Sequence, residues 1–186
     1  GVDPVMVAVQ IAQSWQTIIS REKNPLDTAV LSITQIHAGS ATNVIPDEAV
    51  LIGTVRTFST EVLDLIERRM EEIANGVATG FNAKVDFGFK RNYPPLVNHA
   101  KETAFAVEAM KAVAGADRVN TNVEPTMGAE DFAFMLQEKP GCYIWIGNGS
   151  SENSCLLHNP HYDFNDEILP VGAAYWVKLV EMRLNA

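Results

Sequence analysis

The chain is short of positive charge, of cysteine and of long apolar runs, and each shortage removes a class of function. Lys and Arg number 14 against 23 Asp and Glu, a formal net charge of −9 with no basic cluster. That balance argues against nucleic acid or an anionic membrane surface as a partner. No apolar stretch approaches the roughly 20 residues needed to cross a bilayer, and no basic region followed by an apolar core opens the sequence. Only two cysteines are present, Cys142 in an apolar run and Cys155 on a loop, too few for a disulfide framework and matching no C-x-x-C pattern. A reducing cytoplasm is therefore the expected compartment. Internal repeats and low-complexity tracts are missing too. Apolar residues are plentiful, at 47% of 186 positions, enough for the core of one large domain or two small ones.

Local signals predict the elements in order. Asp3-Pro4 reads as N-cap and first helical residue, with Val5, Ala8, Ile11, Ala12, Trp15, Ile18 and Ile19 on one face of a helix ending before Pro25. A helix cap so close to the first residue is expected of the remainder of a longer protein. Residues 29–36 and 48–58 are rich in β-branched side chains and flank a loop holding Gly39, Asn43 and Pro46, so two strands are expected. On the second, Val50, Ile52, Thr54, Arg56 and Phe58 share a face, which sets a guanidinium on a mostly apolar surface. Ser59 caps a helix with Val62, Ile66, Met70, Ile73 and Val77 inward and Gly80 as its stop, and Val85, Phe87 and Phe89 alternate with polar residues as a half-buried strand would.

Helix, strand, strand, helix, strand would become a β-α-β-β-α-β ferredoxin-like sandwich with one more strand before residue 1. Tyr93-Pro94-Pro95 then marks a boundary, giving regions 1–92 and 93–186. In the second region the pattern predicts a helix over 100–113 with Ala104, Val107, Met110 and Val113 inward, then a short strand at 120–123. A helix with Glu130 and Asp131 in its first turn, a buried central strand at 142–146 and a helix over 169–184 follow. The fold class is mixed α/β.

Chemistry collects between those last two elements, in His158-Asn159-Pro160-His161-Tyr162-Asp163-Phe164-Asn165-Asp166. Pro160 disfavours helix at Asn159 and holds His158 on a turning loop, a usual place for a metal ligand or a catalytic base. A packed, hydrogen-bonded turn explains the same residues equally well, because H-x-x-H on a loop is a weak zinc signal without further ligands.

Several segments, in order, carry a resemblance that spans nearly the whole chain. They are Ala41-Thr42-Asn43-Val44-Ile45-Pro46-Asp47, Gly53-Thr54-Val55-Arg56-Thr57-Phe58, Tyr93-Pro94-Pro95, Glu130-Asp131-Phe132, and Leu157-His158-Asn159-Pro160-His161-Tyr162-Asp163-Phe164-Asn165-Asp166. Together they resemble the metal-dependent amidohydrolases that include hippurate hydrolase, N-acyl-amino-acid hydrolases and indole-acetyl-amino-acid hydrolases.

The resemblance implies that 1–92 is most of a lid and dimerisation domain and 93–186 the C-terminal part of a zinc-exopeptidase-like catalytic domain. It also implies that His158 is a metal ligand, and that Asn43 and Arg56 hold the carboxylate of an N-acyl amino acid. The implied cofactor is a pair of divalent ions, zinc, manganese, cobalt or nickel, and the implied assembly a homodimer through the lid. A Cys-Gly-His-Asp-like motif is lacking, and the one Glu-Glu pair, Glu71-Glu72, lies on an amphipathic helix. The family's general base and most of its ligands are thus expected outside these residues, and the chain alone is expected to be inactive. Two other readings stay open. One is a non-catalytic small-molecule-binding or dimerisation module. The other is a hydrolase using His158 or His161 as base for a serine or cysteine nucleophile, which the lack of G-x-S-x-G disfavours.

Overall fold

The computed structural model describes residues 1–149 and 155–184. It divides into two compact units, residues 1–96 with 127–130 and residues 97–126 with 131–186.

The first unit is a layer of two helices on a β-ribbon. Helix α1 (Pro4–Thr17) begins as its sequence predicts, with the Asp3 carboxylate accepting from the Val5 amide at 3.0 Å and the Met6 amide at 3.4 Å. It runs into a π-type turn over Ile18–Glu22, where the Lys23 amide reaches the Ile18 carbonyl. Strands β1 (Ala29–Ala38) and β2 (Ala49–Thr57) pair antiparallel, with a bulge between Ile33 and Gln35. Thr34 is the extra residue there, and its hydroxyl donates to the Ile52 carbonyl at 3.3 Å.

Leu31, Leu51 and Val55 turn inward from the ribbon onto Val7, Ile11, Trp15 and Ile18 of the first helix and Val62, Ile66 and Met70 of α2 (Thr60–Gly80). The Trp15 indole N–H donates to the Met70 carbonyl at 2.9 Å, locking the two helices together within this core. Val50, Ile52, Thr54 and Arg56 lie exposed on the opposite face.

Gly53 faces Ile33 across the ribbon at the bulge, where a Cβ would collide with the Ser32 carbonyl oxygen. Backbone cannot swing aside as a flexible side chain would. Gly53→Ala is expected to destabilise the protein by about 1–3 kcal/mol, read by chemical denaturation, whereas an exposed glycine in open space such as Gly88→Ala should stay within about 0.5 kcal/mol of the parent.

Two expectations for this unit need correction, the buried face of the first helix and the third strand. Val7 joins the buried stripe of α1 while Ala12 is only half-buried. The second helix ends at Gly80 as expected, and the left-handed residue that closes it is Asn82, at φ 54°, with the Ala83 amide reaching back to the Ala78 carbonyl at 2.8 Å. Residues 85–89 alternate in burial as the pattern requires, with Val85, Phe87 and Phe89 packed on the core, yet they join no strand ladder. Alternation reports which side chains are buried, and ladder pairing is a separate requirement on the backbone. The sheet accordingly has two strands among the described residues.

In the second unit, α3 (Ala100–Ala114) packs against α5 (Leu169–Leu184). Ala106 and Ala109 are its buried residues, in place of the predicted Ala104, which is exposed; an alanine-rich helix offers more than one plausible small face. It ends at Gly115, whose φ of 89° suits glycine. Residues 120–123 are an exposed Asx turn rather than a strand, with the Asn122 amide on the Asn120 side chain at 3.0 Å. Glu130 and Asp131 precede α4 (Phe132–Glu138) instead of lying in its first turn.

The run at 142–146 is also not a ladder strand, and Trp145 and Ile146 are exposed rather than covered. Its backbone is met by side chains. The Asn98 amide accepts from the Tyr143 N–H at 2.7 Å and donates to the Tyr143 carbonyl at 2.8 Å, a one-residue imitation of strand pairing. None of the described helices is long and apolar enough to cross a membrane.

Candidate functional site

Arg56 sits near the end of β2, opposite Val30, while Asn43 lies in the loop joining Ala38 to Ala49 at the other end of the ribbon. Both side chains are exposed. The Arg56 guanidinium is already engaged: one terminal nitrogen donates to the Met127 carbonyl at 2.5 Å, and residues 127–130 belong to the same compact unit. Nothing in the sequence signals this contact, because the acceptor is a backbone carbonyl 71 positions away. A planar guanidinium still has other N–H groups to offer an anion.

His158 occupies a tight turn of the other unit. Its φ is +70°, and the Asn159 amide reaches back to the Leu156 carbonyl at 3.2 Å, so His158 stands at the third turn position, where glycine or asparagine is usual. Asn159 then shapes the next turn, its side chain accepting from the His161 amide at 2.9 Å and its carbonyl from the Tyr162 amide at 2.9 Å. The predicted turn is there, and its imidazole is exposed.

An L-residue held in left-handed backbone costs roughly 1–2 kcal/mol because of its Cβ, so a histidine placed there and left facing solvent is poorly explained as a packing residue. His161 is exposed as well, and among the described residues no group of three or more His, Cys, Asp and Glu gathers where it could hold a metal ion. Among the described residues His158 is thus an exposed imidazole of suitable chemistry, with no full ligand set gathered around it.

The shifted titrations point elsewhere. Hydrogen bonds from Arg69, then Arg68, hold the Glu72 carboxyl below its usual range, and the Ser59 hydroxyl does the same for Glu61. Both belong to exposed networks on the second helix and mark no cleft, and Glu72 is thereby accounted for by helix surface pairing.

Residues 5–182 match the model of peptidase family M20/M25/M40. The chain belongs to that family. Among curated relatives, it is 34% identical over 185 residues to the N-acetylcysteine deacetylase of Bacillus subtilis, covering 100% of this chain and 47% of the relative. It is 33% identical over 177 residues to the hippurate hydrolase of Campylobacter jejuni, covering 95% and 45%.

Among solved family structures, the Bacillus subtilis YXEP protein, described as a dinuclear metal-binding peptidase, superposes with a TM-score of 0.75 at 30% identity, over 99% of this chain and 47% of that one. The chain thus spans about half the length of the relatives it matches. The mixed α/β architecture agrees with this neighbour.

Proposed function

We propose that the whole protein hydrolyses the amide bond of N-acyl amino acids with divalent metal, and that this chain supplies one metal ligand and the grip on the substrate's carboxylate. The observation that carries the proposal is the exposed His158 imidazole on its left-handed turn, in a chain matched by the metallopeptidase family along residues 5–182. The names of the relatives support N-acyl amino acids as the substrate class.

In this reading, residues 1–92 serve as the lid and 93–186 as the end of the catalytic domain. His158 binds through one ring nitrogen. When bound, the metal supplies Lewis acidity toward the amide carbonyl and a more acidic water. Arg56 and Asn43 hold the carboxylate, Arg56 by a charge-assisted bond through the N–H groups Met127 leaves free and Asn43 by a neutral donor. Orientation is their contribution: they fix the free end of the substrate so that the amide is presented in one register. A homodimer through the lid would follow from the ribbon, since a two-stranded sheet presents strand edges that need covering.

The test is release of free amino acid from a panel of N-acetyl and N-benzoyl amino acids by the whole protein, before and after metal removal by a chelator. Turnover should vanish on chelation and return with a divalent ion. Chelator-resistant turnover, or none on any N-acyl amino acid, contradicts the proposal.

The 186 residues by themselves should take up zinc only weakly, because a tight site requires three or four ligands and the described residues cluster fewer. Calorimetric titration showing stoichiometric zinc at micromolar affinity would refute this.

A further inference from the structure

Among the described residues, the side chain of Asn148 closes the base of the loop carrying His158. Asn148 precedes the loop, and its amide spans to the far side. Its Nδ2 donates to the Asp163 carbonyl at 2.9 Å, and its Oδ1 accepts from the Asn165 amide at 2.8 Å. These bonds bridge 15 and 17 positions and use both ends of the amide at once.

The neighbouring groups are built around this bridge. Gly149 has φ +86°, and a Cβ there would approach the Asn165 side chain to 3.3 Å, so the chain turns closely against its partner. Asn165 in turn accepts from the Glu167 amide at 3.1 Å, capping the short 3-10 turn Asp166–Ile168 that leads into α5. The far side of the loop base is thereby anchored to a sixteen-residue helix. At the tip, the Asn159 bonds and the left-handed His158 hold the turn itself. Tip and base each carry their own hydrogen bonds, and Asn148 hydrogen-bonds the base to the end of the 141–147 run.

We infer that Asn148 is a positioning residue for His158: by clamping residues 163 and 165 it restricts where the imidazole can stand, and so raises the protein's affinity for its metal. The inference rests on the reading of His158 as a ligand. Its physical basis is that an exposed turn, whose hydrogen bonds among the described residues are local, would otherwise leave the imidazole to be ordered at the moment of binding, at an entropic cost.

The experiment uses the whole protein and three variants, with metal affinity read by chelator competition and backbone exchange of residues 163–165 read by mass spectrometry. Asn148→Ala removes both bonds, and Asn148→Asp keeps an acceptor for the Asn165 N–H but cannot donate to the Asp163 carbonyl. His158→Ala is the reference. Asn148→Ala should lose about 10- to 100-fold in metal affinity, the range of contacts that orient a ligand from outside, with faster exchange at 163–165 and little change in the melting temperature of the metal-free form. Asn148→Asp should lose less, and it decides the matter if the alanine variant does not fold.

Loss of metal in His158→Ala with parental affinity in the folded Asn148 variants overturns the positioning role and leaves the ligand reading intact. Undiminished metal affinity in His158→Ala overturns both.

Discussion

Arg56→Ala should lower kcat/KM for an N-acyl amino acid by about 30- to 1000-fold, the equivalent of 2–4 kcal/mol for a charge-assisted contact, while metal content stays at the parental level. On the proposed reading the guanidinium has two partners to lose. Its bond to the Met127 carbonyl is present without substrate, so the variant also removes that anchor of the 127–130 segment, and that part of the loss falls equally on every substrate. The part due to the carboxylate falls only on substrates that carry one.

Comparing an N-acyl amino acid with its C-terminal carboxamide therefore separates the two roles. The carboxylate substrate should lose at least tenfold more than the carboxamide, roughly 1.4 kcal/mol or more of difference. Arg56→Lys should recover only part of the loss, because an ammonium cannot donate from a planar fork to two acceptors at once. Equal losses on both substrates would make Arg56 a loop anchor alone.

The second large effect is expected at His158. If the roughly 10–16 kcal/mol of a structural zinc site is shared among four ligands, each accounts for about 3 kcal/mol, so removing the imidazole should weaken metal binding about 100- to 1000-fold. Stability of the metal-free protein should move the other way. His158→Gly relieves the roughly 1–2 kcal/mol that a left-handed L-residue costs and gives back somewhat less in backbone entropy, so a gain of about 0.5–1 kcal/mol is expected in denaturant unfolding. His158→Ala keeps a Cβ and should gain nothing.

Weaker metal with equal or greater metal-free stability marks a residue kept for binding. A packed turn residue would show the reverse, with stability lost on truncation and metal affinity unchanged.

Elements announced by chemistry local to the chain were legible in the sequence. Asp3-Pro4 and Ser59 place their helix starts because a capping side chain must lie within three residues of the amides it satisfies. The β-branched runs around Asn43 and Pro46 place the ribbon, and the face shared by Val50, Ile52, Thr54 and Arg56 follows from strand periodicity alone.

The segments at 85–89 and 142–146 read as strands because alternation in the first and apolar content in the second report side-chain burial. Whether a ladder forms depends on partners that composition does not name, and Tyr143 finds its partner in the side chain of Asn98.

The site divides along the same line. Pro160 and the paired histidines made the turn at His158 readable. The sign of its φ was not, because left-handed backbone at a histidine is imposed by its surroundings. The Arg56 contact to Met127 and the Asn148 clamp leave no sequence signal, since each ends on a backbone group that does not name its residue.

The most direct test of the central claim is anomalous diffraction from crystals of the whole protein loaded with zinc. The account predicts a metal peak about 2.0–2.1 Å from one ring nitrogen of His158. A fully loaded metal centre with the His158 imidazole outside its coordination shell would contradict it.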